Sequence, residues 1–344
     1  MALPAGRFVV SHHPTILITG AAGNLGGSLA RHLAEGGHNL RLMWHRKRLP
    51  DEVVRSANVS SIQADLADPT TLLPAVSGVD VVVHFAGVLF APQPERFLPE
   101  TNTGWFSNLL GAALEVGVKR VILISFPHVE GPTCVDQPAT GRLDQQPISV
   151  HARTRLEEER LLLTRTEGSV TTPVVLRLGM VYGRGILMIE AARWLAQRRL
   201  LGVWREPVWI QLVATADYLR ATEAAILQPG VQGIYHIGDE EPVTLQHFLD
   251  EACRAWGCAP PWRMPPWLIH AAASLCELCA AVAGTPSPLT RDFIRIGRVS
   301  YWGDTRRARN ELVPRLKYPT LWTGLSTLRV ADKNATLPKA GVPQ

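Results

Sequence analysis

The sequence predicts an α/β protein, a doubly wound parallel sheet with a smaller C-terminal α/β lobe. Three observations predict it. An apolar, β-branched run, Ile16-Leu17-Ile18-Thr19, breaks at Gly20 and is followed by Gly23 and Gly26. Leu25, Leu29 and Leu33 then recur every four residues, as one face of a helix would. Further on, apolar strand-like runs alternate with helix-patterned segments, the order that builds a parallel sheet.

The first strand, glycine turn and helix N-terminus form a pocket for a pyrophosphate. Glycine lets the backbone approach the phosphates, and the free amides and positive dipole end of the helix favour the anion. Gly20, Ala22, Gly23, Asn24, Leu25 and Gly26 are the expected contacts; an ordinary tight turn is the alternative. Asn39 to Trp44 follows a Gly36-Gly37 stop and reads as the second strand. In a dinucleotide fold the residues after it meet the adenosine ribose, where an acid suits NAD and a basic cluster suits a 2′-phosphate. Here His45 and Arg46 are followed by Lys47 and Arg48, with no acid before Asp51, so NADP(H) is favoured over NAD(H). The alternative is a set of solvated loop cations. Ser61 to Leu66 is a short third strand ending at Asp65-Leu66, and Val79 to Phe85 is the apolar fourth, ending at Ala86-Gly87, where a small backbone lets a cofactor pass. Asn108 to Gly117 is helical and Arg120 to Ser125 is the fifth strand.

The chain has 344 residues, 46% of them hydrophobic and 19% charged, with a formal net charge of +5, which describes a globular protein and excludes a disordered one. The basic residues are scattered without interleaved aromatics, so no nucleic-acid partner is expected. Residues 1–14 carry no secretory pattern, and the five cysteines do not make a disulfide scaffold, so a reducing cytoplasmic setting is expected. Cys253, Cys258, Cys276 and Cys279 could be written as a zinc pattern. The last two lie in an Ala/Leu-rich run where thiols pack as small apolar groups, and no metal is assigned. The nearest approach to a membrane span, Trp267 to Gly284, carries His270 and Glu277 and reads as an amphipathic helix; contact with a membrane surface stays open.

The chain resembles the extended short-chain dehydrogenase/reductase family, the NAD-dependent epimerase/dehydratase-like proteins. The matching residues are Thr19 to Gly26, Asp65-Leu66, His84 to Gly87, Asn102, Asn108 to Leu110 through Arg120, and Leu176 to Gly183. Asp217 at a helix start and Gly233 to Val243 also match, so the resemblance runs over roughly residues 15 to 325. It implies a Rossmann-like dinucleotide-binding domain over 15–180, a substrate lobe over 181–327 interleaved with it, an N-terminal arm over 1–14 and a tail over 328–344. It also implies cofactor contacts from Phe85, Ala86, Gly87, Asn102 and Arg155, and admits a homodimer.

The departures matter more. The family exchanges a proton through a Tyr-x-x-x-Lys pair on one helix face, helped by a serine after the fifth strand. Here the tyrosine position is His151, the lysine position is Arg155 and the serine position is Phe126. None of the five lysines has a tyrosine four residues before it. Beside the charge of Arg155 a histidine would be neutral near pH 7, a fair base and a poor acid. His128, Glu130 and Tyr182 are further candidates in the same cleft, against the alternative of a polar rim. Residues 262–296, rich in Trp, Pro and Leu, are expected to line a pocket for an apolar or mixed small-molecule substrate, with Arg291, Arg295 and Arg298 as its one basic cluster. Two functions remain: an oxidoreductase or epimerase-type enzyme with non-standard acid/base residues, which the retained substrate lobe favours, or a non-catalytic NADP(H)-binding sensor or assembly protein.

Overall fold

The computed structural model describes residues 13–87, 94–283 and 290–329. Most of the expected N-terminal arm, and the tail beyond Arg329, lie outside the described residues.

The chain enters as β1 (Thr15–Thr19), turns into α1 (Asn24–Glu35), returns as β2 (Asn39–Trp44), and passes through a short α2 (Asp51–Val54) to β3 (Val59–Gln63). Next comes α3 (Pro69–Val76), whose start is fixed by Asp68 accepting from the Thr70 amide at 3.0 Å, and then β4 (Val81–His84). Helix α4 (Pro94–Leu98) continues through a π-helical turn at Pro99–Gly104 into α5 (Trp105–Glu115). Then follow β5 (Arg120–Ser125), α6 (Val150–Arg165), β6 (Thr172–Leu178) and β7 (Met180–Tyr182). The second half contains α7 (Leu187–Gln197), β8 (Gly202–Trp204), β9 (Trp209–Ile210), β10 (Leu212–Ala214), α8 (Thr215–Leu227), β11 (Gly233–Ile237), β12 (Val243–Thr244) and α9 (Leu245–Ala255). It closes with β13 (Trp262–Met264), α10 (Pro266–Ala283), α11 (Arg291–Gly297), α12 (Arg306–Glu311) and α13 (Leu321–Gly324).

Seven strands form one sheet in the order β11-β6-β5-β4-β1-β2-β3, every neighbouring pair parallel. Alternate side chains go to opposite faces. Ile16, Ile18, Val81, Val83, Ile122 and Ile124 enter one core, while Leu17, Val82, Val121 and Leu123 enter the other. Both faces are covered, which is why these strands read as continuous apolar runs. The first core runs on without a break into the C-terminal lobe, through Trp204, Ile210, Phe248 and Leu328. Leu328, expected to begin a tail, is buried, and its carbonyl accepts from Trp256 Nε1 at 3.1 Å.

Other boundaries move as well. The third strand ends at Gln63, so Asp65 and Leu66 lie in the loop after it. The alternation over Trp204 to Val213 does not make one strand. Pro207, which cannot donate to a ladder, falls between β8 and β9, and three short strands pair with three different partners. No helix among the described residues is long and apolar enough to cross a membrane.

Candidate active site

Because the sheet is parallel, the ends of β1, β4 and β5 open at one edge, where a doubly wound fold binds its ligand. At the end of β1, Gly20 has φ +68°, a left-handed conformation that side chains disfavour. The Gly23 amide donates to the Gly20 carbonyl at 2.8 Å, closing the turn. A β-carbon on Gly26 would overlap that same carbonyl oxygen, and one on Gly20 would stand 3.0 Å from the Ala86 amide. Gly23 caps α1 without a side chain, so the first-turn amides of the helix are left to a ligand. This cradle fits a dinucleotide pyrophosphate. Asn24 is held differently from the expectation of a ligand contact: its side chain donates to the Gly185 carbonyl (2.6 Å) and accepts from the Leu187 amide (2.8 Å), tying the cradle to the start of α7.

After β2, Arg46, Lys47 and Arg48 are exposed and form no ion pair among the described residues. His45 is turned to Asp65, Nε2 to Oδ2 3.3 Å. The Leu66 carbonyl accepts from Asn108 of α5 at 3.0 Å. Across the edge, Thr19 Oγ1 contacts His84 Nδ1 at 2.8 Å, and Phe85 packs edge-on against Tyr218. Burial, then Arg155, lowers the His84 pKa to about 3.

Helix α6 carries the proposed chemistry. Ser149 caps it, and its start is also held by a residue far along the chain. Asp292 of α11 accepts from the Ser149 hydroxyl (2.8 Å), the Val150 amide (3.1 Å) and the His151 amide (3.2 Å). His151 is buried, with Nδ1 lacking a hydrogen-bond partner, and its ring stacks on Phe126 at 5.1 Å and 10°. Burial, then Arg155 and His128, lowers its pKa to about 3, so the imidazole is neutral. His128 packs against Phe126 and Tyr301 and is neutral for the first of these reasons. Phe126 therefore does stand beside His151, and it brings a ring where a hydroxyl would serve a substrate oxygen.

Four expected residues are placed in ways their sequence positions did not convey. Arg155 Nη1 pairs with Glu158 Oε2 at 2.5 Å, while Nη2 lies 2.8 Å from where a Gly87 β-carbon would stand, with Asn102 Oδ1 3.6 Å from the same point. Glu130 binds Arg177, the Gly141 amide (2.6 Å) and Arg142 (3.1 Å). Arg177, itself fully buried, also grips Glu159, which accepts from the Ser125 hydroxyl. Burial pushes Glu130 up, yet the nearby His236 ring (Nε2 3.6 Å from Oε1), Arg177, the Gly141 amide and Arg142 outweigh it and hold the carboxyl at about 2. Glu130 is thus an ionised strut, unsuited to carrying protons near neutrality. The Tyr182 hydroxyl faces Asp239 Oδ2 (3.4 Å) and Gly324, within the core of the lobe, and burial raises its pKa.

Beside the start of α6 lies a cavity of about 320 Å³, whose wall includes His128, Gln145, Ala152, His270, Arg295 and Arg298. Pro147, Ile148, Ile296 and Val299 complete a mixed wall, in keeping with the expectation of an apolar or mixed pocket. The tryptophans at 262 and 267 point outward and are 64% and 68% exposed. Arg291 is paired with Glu277 and turns away from the arginine pair at the cavity. Glu158 and Asp292 were missed in the sequence. Glu158 carried a signal, an acid three residues after Arg155 on one helix face, whereas Asp292 lies more than a hundred residues from its partners and carried none.

The profile of the NAD dependent epimerase/dehydratase family matches residues 16–238. A 2-alkyl-3-oxoalkanoate reductase of Stenotrophomonas maltophilia is 30% identical over 260 residues, 70% of this chain and 76% of that protein. A uronate dehydrogenase of Pseudomonas syringae is 27% identical over 231 residues, 66% of this chain and 76% of that protein. The structure of UDP-glucose 4-epimerase from Thermotoga maritima with UDP-glucose superposes with a TM-score of 0.72 at 20% identity, covering 91% of this chain and 97% of that one. The chain is therefore a Rossmann-like α/β protein that belongs to the NAD dependent epimerase/dehydratase family.

Proposed function

We propose that the protein is an NADP(H)-binding oxidoreductase acting on a small organic substrate, with His151 in the place of the family's proton-exchanging tyrosine. The observation that carries this reading is the cradle at Gly20, Gly23 and Gly26, where β-carbons have no room and helix amides are left over. The amides of α1 would hold the pyrophosphate and Arg46 to Arg48 the 2′-phosphate. Asp65 and Leu66 would meet the adenine side, and Gly87, Asn102 and Arg155 the nicotinamide ribose. The bound dinucleotide supplies or accepts the hydride. Neutral His151 donates a proton poorly and, with its pKa at about 3, is a weak base, so of the two directions the one it can assist is substrate oxidation, by accepting a proton from a substrate hydroxyl. Arg295 and Arg298 at the cavity suit a substrate bearing an acidic group.

A second reading, dinucleotide binding without turnover, is favoured by one observation: Phe126 covers a face of His151. The test is a tryptophan-fluorescence titration with NADPH and NADH, followed by turnover assays with hydroxy acids on wild type and His151→Ala. Tighter NADPH binding supports the 2′-phosphate assignment, and equal or reversed affinities overturn it. Turnover that falls about 100-fold or more in His151→Ala supports the enzyme. NADPH binding without turnover selects the second reading, and failure to bind either dinucleotide overturns both.

A further inference from the structure

Arg155 and Glu158 form an ion pair whose side chains are 7% and 0% exposed. Such a pair is well compensated when both oxygens of the acid and several nitrogens of the guanidinium are engaged. This one is not. Among the described residues only Nη1 to Oε2 is made, and Arg155 Nε and Glu158 Oε1 are both buried without a hydrogen-bond partner there. The other guanidinium nitrogen, Nη2, lies 2.8 Å from where a β-carbon on Gly87 would stand, and Gly87 is exposed. Arg155 therefore spans from a buried acid to the point where the ribose of a dinucleotide would pass.

We propose that Glu158 is a positioning residue that holds the Arg155 guanidinium at the ribose cleft and takes up a proton when that guanidinium turns to the dinucleotide. The inference rests on the dinucleotide-binding reading above. A guanidinium keeps its charge in proteins, so turning toward a ribose hydroxyl leaves Glu158 as the group without a counter-ion. A carboxylate at that depth cannot remain charged alone, and a proton from solvent is bound by one of its oxygens; no other bond changes.

Among the described residues the surroundings offer no substitute cation. On α6 Glu158 has Arg155 and Glu159 beside it, and Glu159 is already held by Arg177 of β6, which Glu130 shares. His84 at the end of β4 is neutral, Asn102 and Thr154 are uncharged, and Arg153 pairs outward with Glu95 of α4. Burial pushes the Glu158 carboxyl up, Arg155 draws it back and Glu159 pushes it up again, to about 7. Below that pH Glu158 is already protonated and binding needs no proton. Above it each binding event takes one up, so affinity falls by up to tenfold per pH unit.

The test is calorimetric titration of the full chain with NADPH between pH 6 and 9, in two buffers of different ionisation enthalpy, on wild type and Glu158→Gln. Titration of the cofactor's own phosphate is common to both proteins and cancels. The expected result is an uptake approaching one proton above about pH 7 in wild type that is absent in Glu158→Gln. Should that variant not fold, Arg155→Met serves the same purpose, since it has no guanidinium to withdraw. Binding without uptake, or equal uptake in wild type and variant, overturns the proposal while leaving dinucleotide binding intact. Failure to bind NADPH at any pH overturns the dinucleotide reading and this proposal with it.

Discussion

Replacing Arg177 with methionine removes the guanidinium that Glu130 and Glu159 share while keeping most of its bulk. The two acids are left in unequal positions. Glu130 keeps the amides of Gly141 and Thr140 and the Nε of Arg142, at 2.6, 3.3 and 3.1 Å. Glu159 keeps the Ser125 hydroxyl and, among the described residues, no cation. Protonating it before burial costs about 1.4 kcal/mol for each pH unit above a glutamate's ordinary value near 4.5, hence about 3.5 kcal/mol at pH 7 and about 0.7 at pH 5. The first figure agrees with the roughly 3–5 kcal/mol expected when one partner of a buried pair is removed. In wild type the pH dependence has the opposite sense. The Glu130 carboxyl is held at about 2, below its usual 4.5, so its contribution is present above pH 4.5 and is lost as pH falls toward 2. Urea denaturation followed by tryptophan fluorescence at pH 7 and pH 5 reads both numbers. A deficit below about 1 kcal/mol at pH 7, or one that does not shrink at pH 5, refutes the reasoning.

The same approach gives two further expectations. Gly26→Ala places a β-carbon on the Gly20 carbonyl oxygen, so the phosphate turn must shift. A loss of about 1–3 kcal/mol in stability and of more than tenfold in NADPH affinity is expected, and a fluorescence titration with undiminished affinity contradicts it. Asp292→Ala takes an acceptor from three buried donors at the start of α6 and is expected to cost about 1–3 kcal/mol, with Asp292→Asn costing less. Thermal unfolding that ranks the two variants the other way rules out the capping role.

Much of the fold was legible because it is written locally. The run Ile16 to Thr19 and the glycines after it specify strand, turn and helix within a dozen residues, and β5 begins and ends where the sequence places it. The weaker readings failed where a tertiary partner decides. Glu130 looked like a free acid beside His128 because Arg177, which neutralises it, lies 47 positions away. Tyr182 matched a family segment, but its hydroxyl is claimed by Asp239 across the lobe. Residues 262–296 do supply His270, Arg295 and Ile296 to the cavity wall, yet composition does not say which way Trp262 and Trp267 point, and both are exposed. The site was legible as a set of residue types and illegible as a set of pairings.

The Asp292 cap has a consequence for the order in which the protein is made. Ser149 and Asp292 are 143 positions apart. At ~5–20 residues per second, a ribosome releases the start of α6 roughly 7 to 30 s before the residue that caps it. Strand β11 at the edge of the main sheet, Gly233–Ile237, is also a late arrival. The nascent nucleotide-binding half therefore waits for both, and a chain truncated before α11 should show rapid amide exchange at Val150 and His151 even where its first strands are protected. The segment that would meet the substrate is thus among the last to be fastened, and the residue that fastens it belongs to the lobe that would hold that substrate.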